Sequence, residues 1–108
     1  MTFEERMEEA RRFAILRILA EASQYRAGSR ILYEVLQLRG PSTGYARVLK
    51  TLDWLAAAGF VTTEIFEGRD GEEPLFLASL TQSGFDIATG IETAEGIARP
   101  LPGEEWRG

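Results

Sequence analysis

Leu52-Asp53-Trp54-Leu55-Ala56-Ala57-Ala58-Gly59-Phe60-Val61-Thr62-Thr63-Glu64-Ile65-Phe66, residues 52–66, changes its period halfway along. Up to Ala58 the apolar residues continue the helical spacing of Tyr45, Val48, Leu49, Leu52, Leu55 and Ala56. Gly59 can stop a helix, since glycine enters the left-handed conformation cheaply. After it the chain turns to β-branched and aromatic residues, which suit a pleated strand. A polar stretch from Glu67 to Glu73 then separates this run from a second one, Leu75 to Leu80, so the two read as a β-hairpin with a charged tip.

Working back towards the N-terminus, the spacing predicts a third helix that starts at Ser42 or Thr43 and ends at Ala58. Ahead of it, Ser29 is positioned to cap a second helix carrying Ile31, Leu32, Val35, Leu36 and Leu38, closed by Gly40 and Pro41. Residues 23–28 read as a connection. Phe3, Met7, Ala10, Ala14 and Ile18 predict a long first helix, from Phe3 to Ala22, with Thr2 and Glu5 in a capping-box pattern.

Beyond the hairpin, Thr81 can cap a short fourth helix through Ile87 and Ala88, closed by Gly90. Pro100, Pro102 and Gly103 then predict an irregular tail over 91–108 after a domain spanning 1–90. The order gives a mainly α fold of the α+β kind. Helices two and three form a helix-turn-helix, with the hairpin beside it as a wing, so the expected architecture is a winged helix-turn-helix with a short C-terminal helix.

A chain of 108 residues with 44% hydrophobic content fits one domain with one modest core. It contains neither cysteine nor histidine. Disulfides and thiolate or imidazole metal sites are excluded, and so are the common acid–base and nucleophile constellations; no enzyme activity, metal or cofactor is expected. The acidic start lacks the pattern of a signal peptide, and no stretch approaches the roughly 18 apolar residues of a membrane span. A cytoplasmic protein is expected, with no membrane partner.

The net charge is −5, but it is unevenly spread. Residues 1–23 carry −1, 24–58 carry +3, 64–73 carry −4 and 84–108 carry −3. Positive charge therefore gathers where the helix-turn-helix is expected, and the hairpin tip is acidic.

The run Leu52 to Val61, together with Leu80-Thr81-Gln82-Ser83-Gly84, resembles the two signatures that flank the wing in winged-helix regulators. Phe13-Ala14-Ile15-Leu16-Arg17-Ile18-Leu19-Ala20 and Gly96-Ile97-Ala98-Arg99-Pro100 resemble small winged-helix proteins of Mu-like transposable phages and prophages, grouped with ArsR-type repressors. The resemblance implies a helix-turn-helix protein, often dimeric, with DNA as its partner. This chain departs from metal-sensing ArsR proteins because it has no soft ligand to offer a metal.

On a helical wheel Thr43, Arg47, Lys50 and Trp54 point away from Val48, Leu52 and Leu55, with Thr51 on the flank. The expected DNA-contacting residues are Arg47, which can bridge a guanine or grip a phosphate, Lys50, Thr43 and Thr51, with Arg39 and Arg30 adding phosphate contacts. Phe3, Met7 and Trp54 are the expected interface residues of a homodimer. The acidic tip, Glu67, Asp70, Glu72 and Glu73 around Arg69, would repel phosphate. It motivates a second reading, a protein-interaction adaptor for a phage or host protein that reuses the same fold.

Overall fold

The computed structural model describes residues 1–104 and residue 106, and shows an α+β fold of helices around a small antiparallel sheet. The helices are α1 (Phe3–Glu21), α2 (Ser29–Arg39), α3 (Tyr45–Ala57) and α4 (Gln82–Ala88). The strands are β1 (Arg26–Gly28), β2 (Val61–Phe66) and β3 (Leu75–Leu80), and β3 lies between the other two. Glu105, Arg107 and Gly108 of the expected tail lie outside the described residues.

Local signals set most of the boundaries. Thr2 accepts from the Glu5 backbone N–H at 3.1 Å and so caps α1. Thr81 does the same for α4, accepting from Gly84 N–H at 3.1 Å. Gly59 ends the α3 segment with a φ of +87°, a conformation that lets the chain turn from helix into β2. Gly84 is required for another reason: a Cβ there would collide with the Phe60 carbonyl, so glycine lets α4 settle against the start of the hairpin.

The core is the surface these elements share. Ile15, Leu16 and Leu19 of α1 meet Leu32 and Leu36 of α2 and Val48, Leu52 and Leu55 of α3; Val61 and Ala78 bring in the sheet, and Ile87 and Ala88 bring in α4. Val48, Leu52 and Leu55 all point inward, as the spacing predicts. Burial of a Leu, Ile or Val side chain stabilises by about 1.5–3 kcal/mol, so this cluster dominates the fold.

Residues 23–28 differ from the expected connection. Ser23–Tyr25 form a single 3-10 turn, and β1 follows it, pairing Arg26 with Ser79, Ala27 with Ala78 and Gly28 with Leu77. Three residues are too few to show an alternating pattern, and the partner strand is distant in sequence. Ser29 is also not a cap. Gly28 holds that position without a side-chain bond, while Ser29 is buried and its hydroxyl shares a hydrogen bond of 2.8 Å with the Tyr45 hydroxyl.

The segment after Gly90 is irregular, as expected, but it packs against the rest of the molecule. Ile97 is buried in the core, and Ala98 N–H donates to the Glu9 carbonyl at 3.2 Å. Arg12 donates to the Gly96 carbonyl at 2.8 Å and Arg17 to the Glu104 carbonyl at 2.9 Å. Trp106 lies edge-on to Phe85 of α4, with centroids 6.3 Å apart.

Candidate functional site

The connection from α2 to α3, residues 40–44, is braced from two sides, by α1 and by α2. Arg11 of α1 donates through Nε to the Thr43 hydroxyl at 3.0 Å, and that hydroxyl donates to the Pro41 carbonyl at 2.6 Å. Gln37 of α2 donates to the Thr43 carbonyl at 2.6 Å and accepts from the Ser42 hydroxyl at 2.9 Å. These bonds fix the angle at which α3 leaves the turn. Gly44 is still extended, so the helix begins only at Tyr45, and Gly44 holds the cap position with no capping side chain.

An uncapped α3 start leaves orphan backbone N–H groups, which favour an anion. The space in front of Gly44 is open. Beside it, Tyr45 packs edge-on to Tyr33, with ring centroids 5.8 Å apart, and the Arg30 guanidinium stacks over Tyr45 at 4.1 Å. Sequence reasoning missed this Tyr33–Tyr45–Arg30 cluster, because it depends on two helix starts meeting side by side.

Along α3 the outward face is narrower than the wheel suggests. Lys50 lies on it with Ala46, Asp53 and Ala57, all exposed, and Lys50 makes no ion pair among the described residues. Arg47 is 56% exposed but leans towards α1, where its guanidinium meets the Glu8 carboxylate at 2.9 Å. The same carboxylate oxygen pairs with Arg11 at 2.7 Å.

Thr43 and Thr51 do not face outward. Their exposures are 5% and 2%, and the Thr51 hydroxyl is turned back onto the Arg47 carbonyl at 2.8 Å. Hydroxyls that satisfy nearby carbonyls lower the cost of burying a polar group, which is why both residues tolerate the inner side of the turn and helix. Neither is available to a ligand in this conformation.

Trp54 is likewise occupied within the chain. Arg12 of α1 lies over its ring at 3.9 Å, and Gly96 passes so close that a Cβ there would stand 2.9 Å from the indole. The tryptophan joins α3 to α1 and the C-terminal segment. Its ring stays half-buried between them.

The remaining arginines separate. Arg30, at the start of α2, stands with Tyr45 and pairs with Glu73 of the hairpin loop at 3.1 Å. Arg39, at the other end of α2, pairs with Glu21 of α1 at 2.7 Å and lines a groove away from α3. Arg30 therefore stands at the open start of α3, Arg47 and Lys50 lie further along that helix, and Arg39 belongs to another surface. Exposed ion pairs contribute at most about 1 kcal/mol, so Arg30 and Arg47 can exchange their carboxylates for a competing anion at little cost.

Phe3 is 77% exposed at the start of α1, and Met7 one turn on is half-buried. No helix among the described residues is long and apolar enough to cross a membrane.

A protein of Escherichia phage Mu, the uncharacterized protein gp26, is 32% identical to the chain over 96 residues, covering 89% of this chain and 93% of that protein. No family model matches the chain, and no solved structure matches it.

Proposed function

The chain belongs to the family of the phage Mu protein gp26, and we propose, from the arrangement of α2, the turn and α3, that it is a winged-helix DNA-binding protein of phage or prophage origin, a regulator or architectural binder acting as a homodimer without catalytic activity. In this reading α2, the braced turn and α3 are the helix-turn-helix, and β2–β3 is the wing. One observation carries it: the open, uncapped start of α3 sits beside Arg30, with Lys50 and Arg47 further along the same helix. Backbone N–H groups and Arg30 would hold a phosphate, and Lys50 with Arg47 would lie in or along a groove. Arg39 would act only if the duplex reached the far end of α2; Thr43 acts by shaping the turn and Thr51 by packing on the inner side of α3.

Salt titration tests this. Each phosphate neutralised adds about −0.9 to the slope of log affinity against log salt. Replacing Arg47 and Lys50 together by Ala should lower the steepness by about two. Failure of the purified protein to retard any duplex at low salt would remove the proposal.

The second reading, an adaptor for a phage or host protein, is favoured by the acidic hairpin. Glu67, Asp70, Glu72 and Glu73 are all exposed, and β2 is an outer strand with Ile65 and Phe66 exposed. It predicts that reversing the tip charges abolishes capture of a basic partner while leaving DNA retardation absent; capture that survives the reversal would exclude it.

A further inference from the structure

We infer that the outer edge of β2 takes an extended segment of another protein as a fourth strand, with apolar and basic residues alternating along that segment. The inference deepens the adaptor reading and rests on it, naming how the hairpin would hold a basic partner. β2 is an edge strand, since β3 lies between it and β1. Its six residues pair with β3 without a bulge, and none of them is Lys or Pro. Sheet edges are ordinarily blunted by shortness, by such residues or by a bulge, and β1 at the other edge is only three residues long. β2 has none of these protections.

The register shows which backbone groups are spare. Thr81 N–H donates to the Phe60 carbonyl at 3.1 Å, and this pair lies one step before Val61 with Leu80 and two before Thr62 with Ser79. Opposed residues of an antiparallel ladder alternate between exchanging both hydrogen bonds and exchanging none. Thr62 and Glu64 therefore spend their N–H and C=O groups on β3, while Thr63 and Ile65 turn theirs to the open edge. Every residue from Thr62 to Phe66 is exposed, and Glu64 makes no ion pair among the described residues.

Side chains choose the occupant. Ile65 lies opposite Phe76 on the face that Val61 and Ala78 bury further in, so a strand laid beside it meets apolar surface there. On the other face Glu64 stands between Thr62 and Phe66, and Phe66 pairs with Leu75, both about half exposed. Beyond Phe66 come Glu67, Asp70 and Glu72, all exposed. The fitting segment thus carries an apolar residue beside Ile65, a Lys or Arg beside Glu64, and further bases running along the acidic loop. A second copy of β2 does not fit, because it brings another Glu64 while residues 61–66 hold no base to meet the first.

The probe is a fluorescein-labelled synthetic peptide alternating Lys and Val over about seven residues, titrated into the full chain and followed by anisotropy. Amide hydrogen exchange reads the mode of binding. In the free chain Thr62 and Glu64 should be protected while Thr63 and Ile65 exchange freely, and saturating peptide should slow the latter two. Thr63→Pro removes an outward N–H but no bond to β3, and should weaken binding about tenfold. A peptide with Glu in place of Lys should not bind. Reversal of the tip charges tests the adaptor reading separately: if it abolishes binding of the Lys peptide while the Thr63 and Ile65 amides never gain protection, the acidic loop alone captures the partner and strand addition is overturned. No binding up to about 1 mM peptide, an affinity indifferent to Thr63→Pro, or protection of Thr63 and Ile65 already in the free chain, which would give the edge to a second copy, would each overturn the inference as well.

Discussion

Arg11 and Arg12 on α1 carry the same guanidinium as Arg30 at the start of α2 and Arg47 on α3, yet the two pairs are used in opposite ways. Arg11 is only 10% exposed at its side chain and joins Glu8 to the Thr43 hydroxyl across the turn. Arg12 is stacked on Trp54 and donates to the Gly96 carbonyl, with its Nε buried and unpartnered among the described residues. These two are structural fasteners. Arg30 and Arg47 remain about half exposed, held by single carboxylates that water or a phosphate can replace. The difference shows that arginine content alone says little about anion binding; what counts is how much of each guanidinium the protein has already consumed.

The contrast can be broken most directly at Arg11. Arg11→Ala would remove one partner each from the Thr43 hydroxyl, which keeps the Pro41 carbonyl, and from the Glu8 carboxylate, which keeps Arg47, and should cost about 2 kcal/mol of stability in urea denaturation. A loss below about 1 kcal/mol would place Arg11 with the surface arginines instead. Arg12→Ala should cost about 2 kcal/mol, from the lost stack and an unpaired carbonyl. Its check is optical as well: uncovering Trp54 should shift tryptophan emission to longer wavelength.

Glu8 sharpens the comparison, because one carboxylate oxygen serves a fastener and an available arginine together. Glu8→Gln should lower stability by about 1 kcal/mol through Arg11. Through Arg47 it should raise DNA affinity several-fold at low salt, read by retardation. Affinity that falls in step with stability would show that Glu8 only holds the fold. The smallest effect is expected at Arg30 and Arg47, where Ala variants should keep their melting behaviour within about 0.5 kcal/mol of the parent.

Much of the architecture is legible along the chain. Gly59 and the change of period after it mark the passage from α3 to β2, and Thr2 and Thr81 identify their helix starts because capping is a contact between residues three apart. Ser29 shows how that rule fails. A serine ahead of a helical pattern has the chemistry of a cap, but the Tyr45 hydroxyl competes for it from another helix. The outward side of α3 was only partly legible for the same reason: a wheel ranks positions around one helix and contains no information about what approaches from α1. Lys50 therefore emerges where expected, Arg47 is drawn to Glu8, and Trp54 is half-covered by Arg12.

By itself the amino-acid order determined the helices, the hairpin, the inward ridge of Val48, Leu52 and Leu55, and the concentration of positive charge over 24–58, because periodicity, caps and charge are properties of near neighbours. Only the tertiary structure decided that β1 joins the sheet, that Thr43 and Thr51 are spent inside, and that the C-terminal segment closes over Trp54. Each of these depends on elements far apart in the chain packing together, and so on where several of them bring their side chains at once.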